Sequence, residues 1–349
     1  FATRAGQSLG YDELFTVWVA SRPFADLIHQ ANVDGFTPPA FYLLVKLFAL
    51  AGLSNEGLRV VPVAFGGLAA CFGLLASERL FGARARWPAL CLIPGSAYLF
   101  TFSHELRPYS ALLCCAFFFL GQMGGTTDER SDVRAAIAAL IATAFSYLGL
   151  SLVAIWLFEC RRRWARAHLA LVGLLALLLC SPGLAKASTL AAANVGSRIS
   201  WSASPPALST VIFGLAPVPF DARVEFMSLV LLVALLLSAR HLLPSPALSF
   251  LSRAFIVVTG SVFVLDAMFP IGFAPRYFVL SVAALLLLLV GVLSRLRRAG
   301  LPVAVALLAV NNVRDVKTDT AANKRTLVVR LGVGFGKAEY VSMLVLSAV

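Results

Sequence analysis

With 349 residues, 60% of them hydrophobic and only 13% charged, at a mean hydropathy of +0.87, this chain is too apolar for a water-soluble domain and reads as an integral membrane protein. Its net charge of +12 would suggest nucleic acid in a soluble protein. Here the arginines sit in short loops between apolar runs and read as topology signals, so no nucleic-acid partner is expected. The six cysteines lie in or beside apolar runs without CxxC spacing, and the four histidines are scattered, which argues against a disulfide framework and a zinc site. The chain begins at Phe1 and stops inside the apolar run 341–349, so it is read as a fragment.

The first feature in chain order is a long polar segment, Tyr11 to Tyr42. It carries adjacent carboxylates, Asp12 and Glu13, upstream of the turn Thr37-Pro38-Pro39-Ala40-Phe41-Tyr42. The run from Pro38 to Gly52 is apolar, about 15 residues long and interrupted by Lys46; as a helix it rises about 22 Å, too little to span, and is expected to lie on the membrane surface. Spans are expected at 59–78, 88–103, 110–124, 134–147, 148–160, 168–184, 226–239, 254–270 and 277–294, the two between 134 and 160 being short.

Counting positive charges orients these spans. Arg79, Arg84 and Arg86, then Arg130 and Arg134, then Arg161, Arg162, Arg163 and Arg166, then Arg240 and Arg253, then Arg295, Arg297 and Arg298 all fall on one side. The other side holds Arg107, Lys186, Arg198, Arg223, Arg276 and the Tyr11–Tyr42 segment, which therefore faces away from the cytoplasm. Polar residues at membrane level gather there, in His104-Glu105-Leu106-Arg107-Pro108-Tyr109 and Pro275-Arg276-Tyr277. Charges at that depth are costly unless paired or functional.

The ordered series Asp12-Glu13, Thr37 to Tyr42, Ser54-Asn55-Glu56-Gly57-Leu58-Arg59, Arg79-Leu80-Phe81-Gly82, Glu105 to Tyr109 and Arg276-Tyr277 resembles the C-type membrane glycosyltransferases over residues 8–298. That resemblance implies a sugar taken from a polyprenyl-phosphate donor on the non-cytoplasmic face, with the catalytic acid in the first outer loop. Asp12 aligns with that aspartate, and inverting transfer needs a base for the acceptor hydroxyl proton. Glu13 is its neighbour or substitute; alternatively the pair is a solvated acidic start to a helix beginning near Leu14. Glu105 and Arg107 either orient the donor, with Arg107 gripping phosphate, or form a self-satisfied ion pair; Tyr109 completes the motif. Arg276 and Tyr277 stand where the family has an Arg-Tyr pair near the lipid phosphate, the alternative being an interfacial anchor. Many relatives place a histidine before the Pro pair, where this chain has Thr37, with Asp34 and His29 as nearby polar residues.

From about Leu301 the character changes. Asn311-Asn312-Val313-Arg314-Asp315-Val316-Lys317-Thr318-Asp319, followed by Lys324 to Gly332, resembles the second aspartate motif of UbiA-type dihydroxynaphthoate prenyltransferases. Asp315 and Asp319 at i, i+4 suit Mg²⁺ held against a diphosphate that Lys324 and Arg325 also bind. The family's first aspartate motif is missing, and the run from Leu301 to Val310 is too short to span, so a junction between unrelated coding sequences is preferred to a bifunctional enzyme. The DxxxD spacing of Asp128-Glu129-Arg130-Ser131-Asp132 reads as a solvated loop.

The expectation is an all-α polytopic membrane protein of C-type glycosyltransferase-like fold. Residues 1–58 form an outer loop and juxtamembrane helix, 59–298 a bundle of about nine helices and 299–349 a prenyltransferase-like tail. The expected partners are a polyprenyl-phosphate sugar donor, membrane lipids and a glycan, lipid or protein acceptor, in a bacterial inner membrane. A divalent metal is left open, with Mg²⁺ tied to the tail. The alternative functions are a prenyltransferase and a non-catalytic lipid or sugar transporter.

Overall fold

The computed structural model describes residues 9–34, 37–125, 128–161, 164–193, 245–268, 275–295, 316, 320 and 327–348. Every regular element among them is helical, with no strand. Three helices precede the first long span: α1 (Tyr11–Ser21), α2 (Phe24–Asp34) and α3 (Pro39–Leu50). Their limits follow from proline and glycine. Arg22 stands before Pro23 in an extended conformation (φ −70°, ψ 156°) and stops α1, as the ring of a following proline disfavours helix. Pro39 opens α3 where its missing N–H costs nothing, and Gly52, at φ 89°, allows the turn beyond its end.

The bundle begins with α4 (Val60–Phe81), whose 22 residues rise about 33 Å, enough to cross a hydrocarbon core of about 30 Å. With its leading turn, Gly57–Phe81 is the one described helix long and apolar enough to cross by itself. Then come α5 (Arg86–Leu92), α6 (Ala97–Phe102), α7 (Tyr109–Gly125), α8 (Glu129–Phe145), α9 (Leu150–Cys160), α10 (Arg166–Ala193), α11 (Ser245–Met268) and α12 (Val279–Arg295). The tail contributes α13 (Leu327–Leu331) and α14 (Val333–Ala348). Chain 88–103, expected as one span, is two short helices broken at Pro94-Gly95-Ser96, because proline lacks the N–H that would continue the ladder. The 134–160 pair is interrupted where Ser146 turns extended (φ −159°, ψ 141°). The expected span 226–239 lies outside the described residues.

Helix α4 packs along α7, α7 along α8, and α12 against α4, α7 and α11. Small residues allow the close approach: a methyl group on Gly121 of α7 would stand 2.9 Å from Ala76 Cβ and 3.1 Å from its Cα on α4. Lipid tails offer no hydrophobic drive between helices, so such tight backbone contact is what holds spans together. The core so formed buries Leu112, Phe117, Phe119, Trp156, Leu287 and Leu288. Leu171, Leu174, Leu177 and Leu178 of α10 remain outward and exposed, as lipid-facing side chains do.

The bundle has two chemically different ends. At one, Arg79 donates to Gln122 Oε1 (3.0 Å) and Ser131 Oγ (2.9 Å), Arg86 pairs with Glu78, and Arg253 pairs with Glu159. Asp132, read from sequence as solvated, is 2% exposed: its side chain accepts from Trp164 Nε1 at 3.0 Å, and its carbonyl accepts from Trp156 Nε1 at 2.7 Å. Only Asp128, capping α8 through Ser131 N, and its neighbours Glu129 and Arg130 stay in the open. At the other end, Phe145 of α8 meets Phe41 of α3 and Phe65 of α4, bringing the α1–α3 layer onto the bundle.

Replacing Gly121 by valine forces a side chain into the Ala76 backbone and is expected to cost about 1–3 kcal/mol, read as a lower thermal midpoint in detergent. Gly67→Ala, with nothing within 4 Å of the added methyl, should leave the midpoint unchanged.

Candidate functional site

The α1–α3 layer, the start of α4 and the 103–108 loop meet in a small apolar cluster of Ala20, Phe41, Val45, Leu58, Val61 and Leu106. Above it lies the polar constellation that the sequence singled out. Both carboxylates fall in the first turn of α1, which begins at Tyr11 rather than near Leu14. In a helix, neighbours point about 100° apart, so Asp12 and Glu13 enter different surroundings.

Glu13 points inward and is 7% exposed. Arg59 grips it with two nitrogens, Nε to Oε1 at 2.9 Å and Nη2 to Oε2 at 2.6 Å. The amide of Leu106 donates to Oε1 and that of Gly10 to Oε2, each at 3.0 Å. The Gly10 bond is the reach of an N3 glutamate back to the helix start. Burial pushes the Glu13 carboxyl up, but the Arg59 hydrogen bonds, the two amides and the Arg59 charge together hold it below its ordinary value of 4.5. Both oxygens of the Glu13 carboxylate are thus engaged by the fold.

Asp12 points outward, its side chain 47% exposed, with Oδ2 3.5 Å from Nη2 of Arg107. The Arg107 side chain is 13% exposed, and its Nε and Nη1 are buried without a hydrogen-bond partner. Arg107 N also donates to the Glu105 carbonyl at 2.7 Å, a tight turn that presents Glu105, half-buried, beside it. Tyr109 is buried at the head of α7 with its ring on Phe102. A methyl group on Gly66 would run into the Ser103 side chain, so α4 and the loop approach as closely as glycine permits.

Thr37 is buried at 6%, and His29 is exposed on α2. Tyr277 is half-buried in the turn Pro275–Phe278, packed against the main core; Arg276 belongs to the same turn. The tail candidates Asp315, Asp319, Lys324 and Arg325 lie outside the described residues, as does the side chain of Asp34. Among the described residues, no three His, Cys, Asp or Glu side chains form a metal-holding group.

The structure adds two residues to which sequence reading gave no role. Arg59 is one. The other is Lys46, whose Nζ donates to the carbonyls of Ala20 (3.1 Å) and Arg22 (2.6 Å), closing the C-terminal end of α1. Both are lone cations bordering or interrupting apolar runs, and that was the available signal.

Two solved structures resemble this one: ArnT from Cupriavidus metallidurans in the apo state and the same protein bound to undecaprenyl phosphate. The first matches with 19% identity and a TM-score of 0.52, the second with 18% and 0.53, each over 89% of this chain and 60% of the other. The chain thus spans 60% of the length of those structures, and the likeness is one of fold. No protein-family model and no curated protein matches the sequence. None of these comparisons supports the prenyltransferase resemblance of the tail.

Because folding lowers the Glu13 pKa, its ion pair stabilises the chain fully above the ordinary carboxylate value and loses that contribution as pH falls through the folded value. Glu13→Gln should therefore cost about 3–5 kcal/mol at neutral pH by leaving Arg59 buried and unpaired. It should also flatten the acid limb of thermal stability measured against pH.

Proposed function

We propose that this chain is a membrane glycosyltransferase that moves a sugar from a polyprenyl-phosphate donor to an acceptor hydroxyl on the non-cytoplasmic face. The observation that carries the reading is the division of labour between the paired carboxylates. Glu13 is locked, while Asp12 is half-exposed next to an arginine with two buried, unpartnered nitrogens. The ordered motifs from Asp12 to Tyr277 and the fold shared with ArnT support it, as does the undecaprenyl phosphate held by one of those structures.

In this reading Asp12 takes the proton of the acceptor hydroxyl as its oxygen attacks the anomeric carbon. The bond from that carbon to the phosphate oxygen breaks, and polyprenyl phosphate leaves with the electron pair. Arg107 supplies a planar set of donors for the phosphate oxygens, matched in shape and charge. Glu105, Tyr109, Arg276 and Tyr277 are assigned to the donor side. The crowding of arginines at the opposite end of the bundle supports an orientation with that end in the cytoplasm.

Purified protein in lipid nanodiscs, given polyprenyl-phosphate-linked sugar and membrane extract as acceptor, tests the proposal. Asp12→Asn should reduce transfer by about 10²–10⁴-fold while expression and thermal midpoint hold. Full activity in that variant would remove Asp12 from the mechanism, and a wild-type chain that consumes no lipid-linked sugar would leave transport as the reading. Arg107→Ala should raise the KM for the donor.

A further inference from the structure

We infer that Arg59 is a positioning residue for this transfer, acting through Glu13 to set the placement of Asp12 relative to Arg107; the inference deepens the proposed function and rests on it. A single carboxylate joins the two halves of the site. Through the Gly10 amide, Glu13 closes the first turn of α1, which contains Asp12. Through the Leu106 amide it holds the residue next to Arg107. Arg59 occupies both oxygens of that carboxylate and fixes its plane, so each amide meets its own oxygen. A point charge such as lysine fixes no plane.

The placement of Arg59 is otherwise unfavourable. It sits at the N-terminal end of the 22-residue helix α4, where the helix dipole disfavours a cation, and its side chain is only 8% exposed. Local helix stability does not explain an arginine there. The bond to Glu13 does, and that bond reaches 46 positions back along the chain. Lys46 closes the far end of α1, so the helix bearing Asp12 is held at both ends by cations from other segments.

The reciprocal exchange Glu13→Arg with Arg59→Glu tests this. It preserves an ion pair and places a carboxylate where the α4 dipole favours one, but it removes the acceptor for the Gly10 and Leu106 amides. The thermal midpoint should fall modestly, because the Leu106 and Gly10 amides lose their acceptor, and hydrogen exchange at Leu106 should accelerate. The kcat should fall by about a hundredfold, a loss larger than any change in donor KM. Arg59→Lys keeps the charge and loses the fork, and should lower kcat by about tenfold. An exchanged protein that turns over like wild type, or that keeps Leu106 protected, overturns the inference. If the exchanged chain does not fold, Arg59→Lys at wild-type kcat does the same. Should the wild-type chain consume no lipid-linked sugar, the glycosyltransferase reading falls, and Leu106 exchange in these variants still decides whether the pair holds the loop.

Discussion

The Glu13 carboxylate is the contact on which the candidate site depends. Taking two charges out of water costs several kcal/mol per ion, and mutual attraction offsets this only when geometry is good and the remaining lone pairs are satisfied. Both conditions hold here: the arginine binds two oxygens, and two backbone amides take further positions. An apolar pair of the same volume would pack as well. It could not tie a helix start to a loop, because it offers no acceptor to their amides.

Around this contact the chain separates strength from chemistry. The bundle is held by close backbone approach at glycine and alanine, as at Gly121 against Ala76, and by buried aromatics such as Trp156. Its polar contacts gather at the two ends, where each charge can keep water or a partner. At the arginine-rich end Arg79 lies between Gln122 and Ser131 and makes a latch between α4, α7 and α8. At the other end Arg107 retains buried nitrogens without a protein partner.

The amount legible from sequence differs between fold and site. Composition alone gave the membrane class, since an apolar surface such as that of α10 is tolerable only against lipid. Proline and glycine marked the limits of α3, because their effect on the backbone is local, whereas the start of α1 at Tyr11 was placed three residues late. Apolar run length failed where a run was interrupted without a change in polarity, as at Pro94-Gly95-Ser96, across which 88–103 was expected as one span. Asp132 failed for the opposite reason: it sits among charged residues, yet two tryptophans from later in the chain cover it.

By itself the sequence determined that the protein is helical and of a membrane fold, and it nominated Asp12, Glu13, Glu105, Arg107, Tyr109, Arg276 and Tyr277 as candidates. Those properties reside in composition and local stereochemistry. Only the tertiary structure decided which of two adjacent carboxylates is buried against an arginine and which stays half-exposed. The deciding partners lie 46 and 93 positions away, and helix geometry turns neighbouring side chains to different surroundings. One of them meets Arg59 and the Leu106 amide; the other meets solvent and the edge of Arg107.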